Sequence, residues 1–424
     1  MSRTVSSKKK RVCIVTNGSI SQGPRVQKEA DSLAGADYDV SVISSHCFGW
    51  TIPLDEVIAS RSLWRSINVI HHKRAFAPAI RHYFLRGRNR LIRQLFKYSH
   101  SWYVPELASS QVFLEHLVTA VRQKADIYIG HNLQSLSVVC LAARLTGGRS
   151  AFDAEDLHCG ELEDGSDEQP AQILAQLIQH KYLRQCGYVT ASSPGIARAL
   201  VERYNIPHPT IVLNTFPLDL VGEAQAVPLD RSSGHGTTSF YWYSQIVSLD
   251  RGLQDAIIAI GRLENNAELH IRGNLSTAVR GTLEKLAEES GSAGRVFFHE
   301  AVPPEELLSY GRQHDVGLCL ETTKTVNRNL CITNKMFLYL VAGLAIIATR
   351  TEGHSEVFKV TPDIGHQYDD GDVDSLVRIM TRLAREKKCL QDNKICALRA
   401  ARDHWNWAID ERRLLERVEA TCSI

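Results

Sequence analysis

At 424 residues the chain is long enough for two or three domains of about 100 to 200 residues each. Its 44% hydrophobic and 23% charged residues are those of an ordinary globular protein, which argues against disordered, collagen-like and membrane-spanning classes. The formal net charge of +2 gives no reason to expect a nucleic-acid partner, but it hides an asymmetry: residues 57–105 hold ten Lys or Arg and no Asp or Glu, so the rest of the chain carries −8.

In chain order, residues 11–16 and 39–44 are short β-branched runs separated by a helical stretch that stops at Gly35. That is a strand, helix, strand unit with strands buried on both faces, as in a parallel sheet. The theme returns at residues 126–130, 150–153, 187–191 and 210–213. Little apolar periodicity and a Ser/Gly/Thr cluster make 218–239 a linker. A second series of strands follows at 239–243, 268–272, 295–298, 316–320 and 345–349, with helices between, and residues 403–424 form a terminal amphipathic helix. The expected fold class is therefore α/β, with two doubly wound Rossmann-like domains (1–217 and 240–402) and ligands at the carboxyl ends of the strands. The terminal helix is expected to pack back towards the N-terminal domain.

Several chemistries find no support. Gly234-His-Gly236 is followed by Ser239 where a third glycine is needed and precedes a strand, so no dinucleotide fingerprint is present. No phosphate-binding loop and no His-Glu-x-x-His occur, and Gly353-His-Ser-Glu-Val357 lacks the second glycine of a nucleophile elbow. Ten cysteines without a Cys-x-x-Cys pair suggest reduced thiols in the cytoplasm. The apolar run at residues 12–16 is too short for a signal peptide's core.

Four motifs carry a resemblance. They are Gly23-Pro-Arg-Val-Gln-Lys-Glu-Ala30, Gly130-His131 with Phe152-Asp-Ala-Glu-Asp156, Trp242-Tyr-Ser-Gln245 with Asp250-Arg-Gly252, and Thr333-Asn-Lys335 with Tyr339-Leu-Val-Ala-Gly343. In this order and spacing the chain resembles the GT-B glycosyltransferases, specifically the retaining family 4 group. The resemblance implies a sugar passed from a nucleoside diphosphate to a lipid-linked or surface-polysaccharide acceptor, with the donor on the second domain, the acceptor on the first and reaction in a cleft between them.

Charge that develops on a leaving diphosphate needs a fixed cation or helix N-terminal amides. Arg251, just before Gly252 at the mouth of a helix, is the main candidate, and Lys335 the second. Gln245 stands where many relatives have another cation. The expected donor set also includes Ser244, Gly273 and Asn274, with backbone amides around Thr333 and Asn334, or Glu321, taking over ribose and sugar recognition where the family's Glu pair is missing. With Arg251 and Lys335 to neutralise the diphosphate, no metal or other cofactor is expected.

The resemblance brings His131 to the donor sugar. Asp153 and Asp156 are candidates for a base or acceptor contact, although a front-face displacement would let the leaving phosphate take the acceptor proton. Gly18, Ser19 and Arg25 fall on the acceptor side. The family's Glu-x7-Glu aligns with Leu330 and Leu338, a departure that keeps a catalytically inactive nucleotide-sugar-binding homologue as an alternative, and a GT-B epimerase, which would use the same donor site without an acceptor, is another. The basic stretch, with Arg81, Arg86, Arg88, Arg90 and Arg93 among aromatics, suits an anionic acceptor or the inner membrane face, which members with such acceptors touch through this region.

Overall fold

The computed structural model describes residues 9–46, 49–70, 76–99, 103–161, 170–220, 236–264 and 266–422, without the side chains of 70 and 76–82. The inner part of the expected linker (221–235), the acidic loop (162–169) and the Arg81 side chain lie outside the described residues. The chain forms two compact units, Met1–Leu213 with Asp410–Ile424, and Asn214–Ile409.

The first unit holds a seven-stranded parallel sheet of β1 (Arg11–Thr16), β2 (Asp39–His46), β3 (Arg65–Ile70), β4 (Ile127–His131), β5 (Arg149–Ala154), β6 (Tyr188–Ala191) and β7 (Thr210–Ile211). Their order is β3-β2-β1-β4-β5-β6-β7, so the chain winds outward one way from β1, then returns to β4 and winds the other way. Parallel strands covered on both faces must be apolar almost throughout. Val12 to Val15, Ile127 to Ile129, Ala151 and Phe152 are accordingly almost wholly buried.

The second unit repeats the plan with β8 (Thr238–Ile246), β9 (Ala267–Asn274), β10 (Val296–His299), β11 (Val316–Cys319), β12 (Ala345–Thr349) and β13 (Gly365–Tyr368), in the order β10-β9-β8-β11-β12-β13. Phe240, Trp242, Leu269, Ile271, Leu318 and Ile347 of the sheet share one core with Leu253, Ile257 and Ile260 of the Leu253–Arg262 helix and with Leu376, Met380 and Leu383 of Val373–Arg385. Each such side chain contributes about 1.5–3 kcal/mol through burial.

Two strands escape the sequence reading, β3 and β13, and each forms an outer edge of its sheet. An edge strand needs no continuous apolar run. Ser66 and Asn68 alternate with Ile67 and Val69 in β3, and β13 contains only Gly-His-Gln-Tyr. The terminal helix also differs, because one helix ends at Asp403 and the next spans Trp407–Cys422. Asn406 turns its amide back to the carbonyls of Ala401 and Arg402, which interrupts the run. Residues 410–424 cluster with the first unit. No helix among the described residues is long and apolar enough to cross a membrane.

Gly252 starts the Leu253–Arg262 helix at φ 70°, and a Cβ there would lie 2.6 Å from the Leu320 carbonyl oxygen. Replacing it with alanine combines left-handed strain with a backbone clash. Gly252→Ala is expected to cost about 1–3 kcal/mol and to lower the midpoint of thermal unfolding.

Candidate functional site

In the second unit, every strand runs parallel, so all carboxyl ends share one edge, and the winding reverses between β8 and β11. The expected donor residues lie on this edge. Ser244 and Gln245 close β8, Gly273 and Asn274 close β9, Glu321 follows β11, and Thr333 is the N-cap of the Asn334–Ala342 helix that begins Asn334-Lys335. Gln245, Asn274 and Asn334 are exposed, whereas Glu321 and Lys335 are buried.

Glu321 joins the group. It accepts hydrogen bonds from Arg251 Nη1 at 3.0 Å and from Lys335 Nζ at 2.8 Å. Burial alone would raise its carboxyl, but Lys335 and then Arg251 hold it down to about 2. One carboxylate faces two cations, so the edge keeps an unbalanced positive charge. Lys335 Nζ also sits 5.2 Å from the centre of the Trp242 ring, and Thr333 Oγ1 donates to Glu321 at 3.4 Å.

Arg251 is one-third exposed, and its Nε is a buried donor with no hydrogen-bond partner. Next to it, Asp250 pairs with Arg328, whose Nη1 also donates to the Asp250 carbonyl at 2.7 Å and so fixes the loop. The helices Leu253–Arg262, Asn334–Ala342 and Glu352–Val360 follow strands or loops of this edge, and their N-termini add positive dipole ends. The arrangement is chemically suited to an anion with several oxygens.

Leu330 and Leu338 are buried and offer no hydrogen-bonding group. One polar residue went unread in the sequence. His354 is fully buried, bonds the Thr349 carbonyl through Nδ1 at 2.9 Å and leaves Nε2 without a partner. Burial lowers its pKa, so Nε2 is a lone-pair acceptor. The only sequence signal was the failed nucleophile elbow around it.

At the corresponding edge of the first unit, His131 ends β4 and Asp153 lies near the end of β5. The Pro24–Gly35 helix adds Arg25 and Glu29. Arg25 grips Asp153 with two bonds, Nε to Oδ2 at 2.7 Å and Nη2 to Oδ1 at 2.5 Å, and Thr190 donates to Oδ1 at 2.6 Å. The third Arg25 nitrogen reaches the Val212 carbonyl at 2.9 Å. His131 is wholly buried, with Nδ1 2.9 Å from Glu155 and Nε2 2.6 Å from Glu29. Burial opposes charge on this ring, yet the bonds it donates to Glu155 and Glu29 raise its pKa to about 10.

These distances change the expected roles. Burial would raise the Asp153 carboxyl, but Arg25 and His131 keep it near 2, and its oxygens are already engaged, so it is a poor base for an acceptor hydroxyl. Both His131 nitrogens are likewise taken by protein carboxylates, and Arg25 is spent on Asp153 and Val212. The three form an internal framework. Asp156 stands apart, acting electrostatically on His158, which bonds Glu161. His131, Asp153 and Glu155 bring ligand atoms within 4.8 Å of one another, the dimension of a metal site, but Arg25 and the charged imidazole already compensate these carboxylates.

The turn after His131 is strained. Asn132 has φ 68° and ψ 151°, a conformation that costs a non-glycine residue about 1–3 kcal/mol, and Thr16 Oγ1 holds its side chain at 2.9 Å. Gly18 lies in the loop after β1, where its carbonyl accepts from Ser45 N at 3.1 Å, and Ser19 is buried against Thr51 at 2.7 Å.

The Phe76–Phe96 helix carries most of the expected anionic-surface arginines. Arg88 is not available, because Glu115 pairs with it through two bonds at 3.0 and 2.9 Å and the Gln111 carbonyl takes a third. Arg86, Arg90 and Arg93 are exposed. Leu85 and Phe96 face inward, while Phe84, Leu91, Leu95 and Tyr98 present 51 to 87% of their surface to solvent, an unusual amount of apolar area for one stripe.

Two sheets with the same outward winding, each with polar groups at its carboxyl edge, define a pair of Rossmann-like units. The same architecture is found in HepE of Anabaena, crystallised with UDP and with UDP-glucose (TM-score 0.70 for the UDP complex, 11% identity, 97% of this chain and 100% of that one). Sucrose-phosphate synthase of Thermosynechococcus elongatus is similar at TM-score 0.72 and 12% identity over 98% and 100% of the two chains. WaaG, a glycosyltransferase involved in lipopolysaccharide biosynthesis, is similar at TM-score 0.60 and 11% identity over 95% and 98%. The chain has the GT-B fold of these glycosyltransferases. No family model and no curated protein sequence matches it.

The His131 cluster makes a signed pH prediction. A folded-state pKa of about 10, above the ordinary 6.5, gives stabilisation that is complete below about pH 6.5 and is lost as pH rises through 10. Lys28, lowered to about 7 by burial and then by Arg25, works in the opposite sense, since its penalty is relieved between pH 7 and 10.5. The informative quantity is thus the difference between wild type and His131→Gln. Thermal unfolding should show a gap that is widest near pH 6.5 and narrows towards pH 10; a gap independent of pH would contradict a charged His131.

Proposed function

We propose that the protein is a glycosyltransferase that moves a sugar from a nucleoside-diphosphate sugar to a lipid-linked or surface-polysaccharide acceptor, with retention at the anomeric carbon. The observation that carries this reading is the Arg251–Glu321–Lys335 group at the carboxyl edge of the second sheet, where two cations share one carboxylate, Arg251 Nε is orphaned and three helices start along the same edge. A diphosphate there would gain charge-assisted hydrogen bonds as negative charge grows on its leaving oxygen. The HepE complexes with UDP and UDP-glucose support a uridine donor. Arg251 and Lys335 supply the positive charge, so no metal is required for neutralisation.

Retention is supported by the engaged state of Asp153. As the bond from the anomeric carbon to the diphosphate oxygen breaks and the bond to the acceptor oxygen forms on the same face, the acceptor proton passes to the leaving phosphate. No protein base takes part. The lipopolysaccharide role in WaaG's description favours an envelope acceptor. The apolar stripe on the Phe76–Phe96 helix, beside Arg86, Arg90, Arg93 and Lys97, favours peripheral contact with an anionic membrane on its cytoplasmic face.

A second reading, an inactive nucleotide-sugar-binding homologue, is favoured by one observation, the burial of leucines at 330 and 338. The two separate on binding and turnover. UDP should raise the unfolding temperature of the wild type more than GDP or ADP, with about 2.7 kcal/mol of stabilisation at 100 times its Kd. Arg251→Ala should weaken UDP at least tenfold. Absence of any nucleotide-dependent shift would overturn both readings, and UDP-glucose binding with neither transfer nor hydrolysis would leave the inactive homologue.

For the membrane contact, the triple substitution Phe84→Ser, Leu91→Ser, Tyr98→Ser removes exposed groups only. Co-sedimentation with phosphatidylglycerol vesicles should fall at least tenfold while the unfolding temperature stays unchanged. Undiminished sedimentation would refute that contact.

A further inference from the structure

The first unit contains a polar recess of ≈ 320 Å³ that shares no residue with the His131 cluster. Its wall includes Asn17 from the loop after β1, Gln134 in the first turn of the Leu133–Thr146 helix, Ser110 ahead of Phe113–Gln123, and Arg86, Asn89 and Arg93 of Phe76–Phe96. The spacing 86, 89, 93 puts the last three on one helical face. No Asp or Glu is among the described residues that line it.

The arginines of this helix differ in what they have left to offer. Arg88 is neutralised by Glu115. Arg86 has neither a hydrogen bond nor an ion pair with the described residues. Arg93 spends only Nε, donating to the Ala108 carbonyl at 3.2 Å, and keeps its two terminal nitrogens. Asn89 bonds the Leu107 and Ala108 carbonyls at 3.1 and 3.4 Å, which pins this face to the Val104–Ser109 helix. Two guanidiniums on one recess whose described lining carries no carboxylate give it a positive potential that an anion would relieve. The N-termini of Leu133–Thr146 and Phe113–Gln123 begin beside the same recess and add to the positive potential.

We propose that this recess is an acceptor subsite that holds the phosphate or carboxylate group of a glycan. The identification of the anion as part of an acceptor rests on the glycosyltransferase reading above. The guanidinium fork matches either oxyanion. Gln134 and Gln111, whose side chains have no partner among the described residues, supply amides suited to sugar hydroxyls. The volume lies at the lower end of the range for small-molecule sites, about 300–1,000 Å³, which suits one sugar unit with its charged substituent. A neutral glycan would leave both arginines uncompensated and be disfavoured.

Ligand-observed NMR titrations of the full chain with glucose 6-phosphate, glucuronate and glucose test this. At least one of the two anions should bind at least tenfold more tightly than glucose, and Arg86→Gln with Arg93→Gln should reduce that binding tenfold or more without moving the unfolding temperature. Arg90→Gln, on the same helix but outside the recess, should leave it unchanged. Arg251→Ala should also leave it unchanged while weakening UDP, which separates the two sites: loss of UDP binding to the wild type would defeat the donor reading, not the anion site. Equal affinity for glucose and both anions, or undiminished anion binding in the Arg86/Arg93 variant, overturns the proposal. It is equally overturned if that variant loses only phosphatidylglycerol vesicles, since the arginines would then serve a lipid surface.

Discussion

A charge removed from water must find its counter-charge inside the protein, and each unit meets that demand at the carboxyl edge of its sheet. In the first unit every charged group is paired, two cations answering three carboxylates. Arg25, Asp153, His131, Glu29 and Glu155 form a chain in which each group's partner is another member, with Thr190 and the Val212 carbonyl taking the remaining bonds. In the second unit compensation is partial, because Glu321 answers two cations and Arg251 retains an unpaired buried Nε. This difference separates a self-contained framework from a cluster with positive charge to spare. Every nitrogen of Arg25 and His131 is already engaged by the protein, while the second cluster has both charge and a donor in reserve.

The framework also explains why the first unit can tolerate a strained turn. Thr16 holds the Asn132 side chain, and His131, one residue before it, is clamped on both sides. A conformation that costs energy persists only where its neighbours leave no alternative. The Leu133–Thr146 helix is thereby started close to the end of β4, and Gln134 in its first turn is brought to the wall of the polar recess.

Much of the fold was legible because buried parallel strands have to be apolar for their full length, and eleven of the thirteen left that trace. β3 and β13 left none, because an edge strand is paired on one side only and can carry Ser, Asn, His and Gln. The polar edge of the second sheet was legible for a related reason. Arg251 before Gly252 and Lys335 after Thr333 sit where helices must start, and a helix start has a local signature. Roles that depend on distant partners left no such mark. Nothing near Asp153 in sequence announces that Arg25, 128 residues earlier, will occupy both its oxygens, nor that Glu115 will neutralise Arg88. His354 stayed hidden because its significance lies in an unpartnered nitrogen, which only the packed structure reveals.

The Phe76–Phe96 helix and the turn after it, the central part of the basic segment that stood out in composition, divide into three surfaces. Leu85 and Phe96 anchor it, Phe84, Leu91, Leu95 and Tyr98 remain bare, and Arg86, Asn89 and Arg93 wall the recess. Positive charge without acidic partners is costly in a folded chain through self-repulsion, so retaining +10 over residues 57–105 implies a compensating gain elsewhere. Within the fold only part of that charge is absorbed, as at Arg88. Among the described arginines of the Phe76–Phe96 helix, Arg86 and Arg93 fall on the recess and Arg90 on the flank of the apolar stripe, two surfaces that an acceptor with a charged sugar and a lipid carrier would engage together. A binding energy shared between a charged pocket and an apolar stripe would make recognition depend on both ends of the acceptor, and a ligand that offers only one would be held weakly.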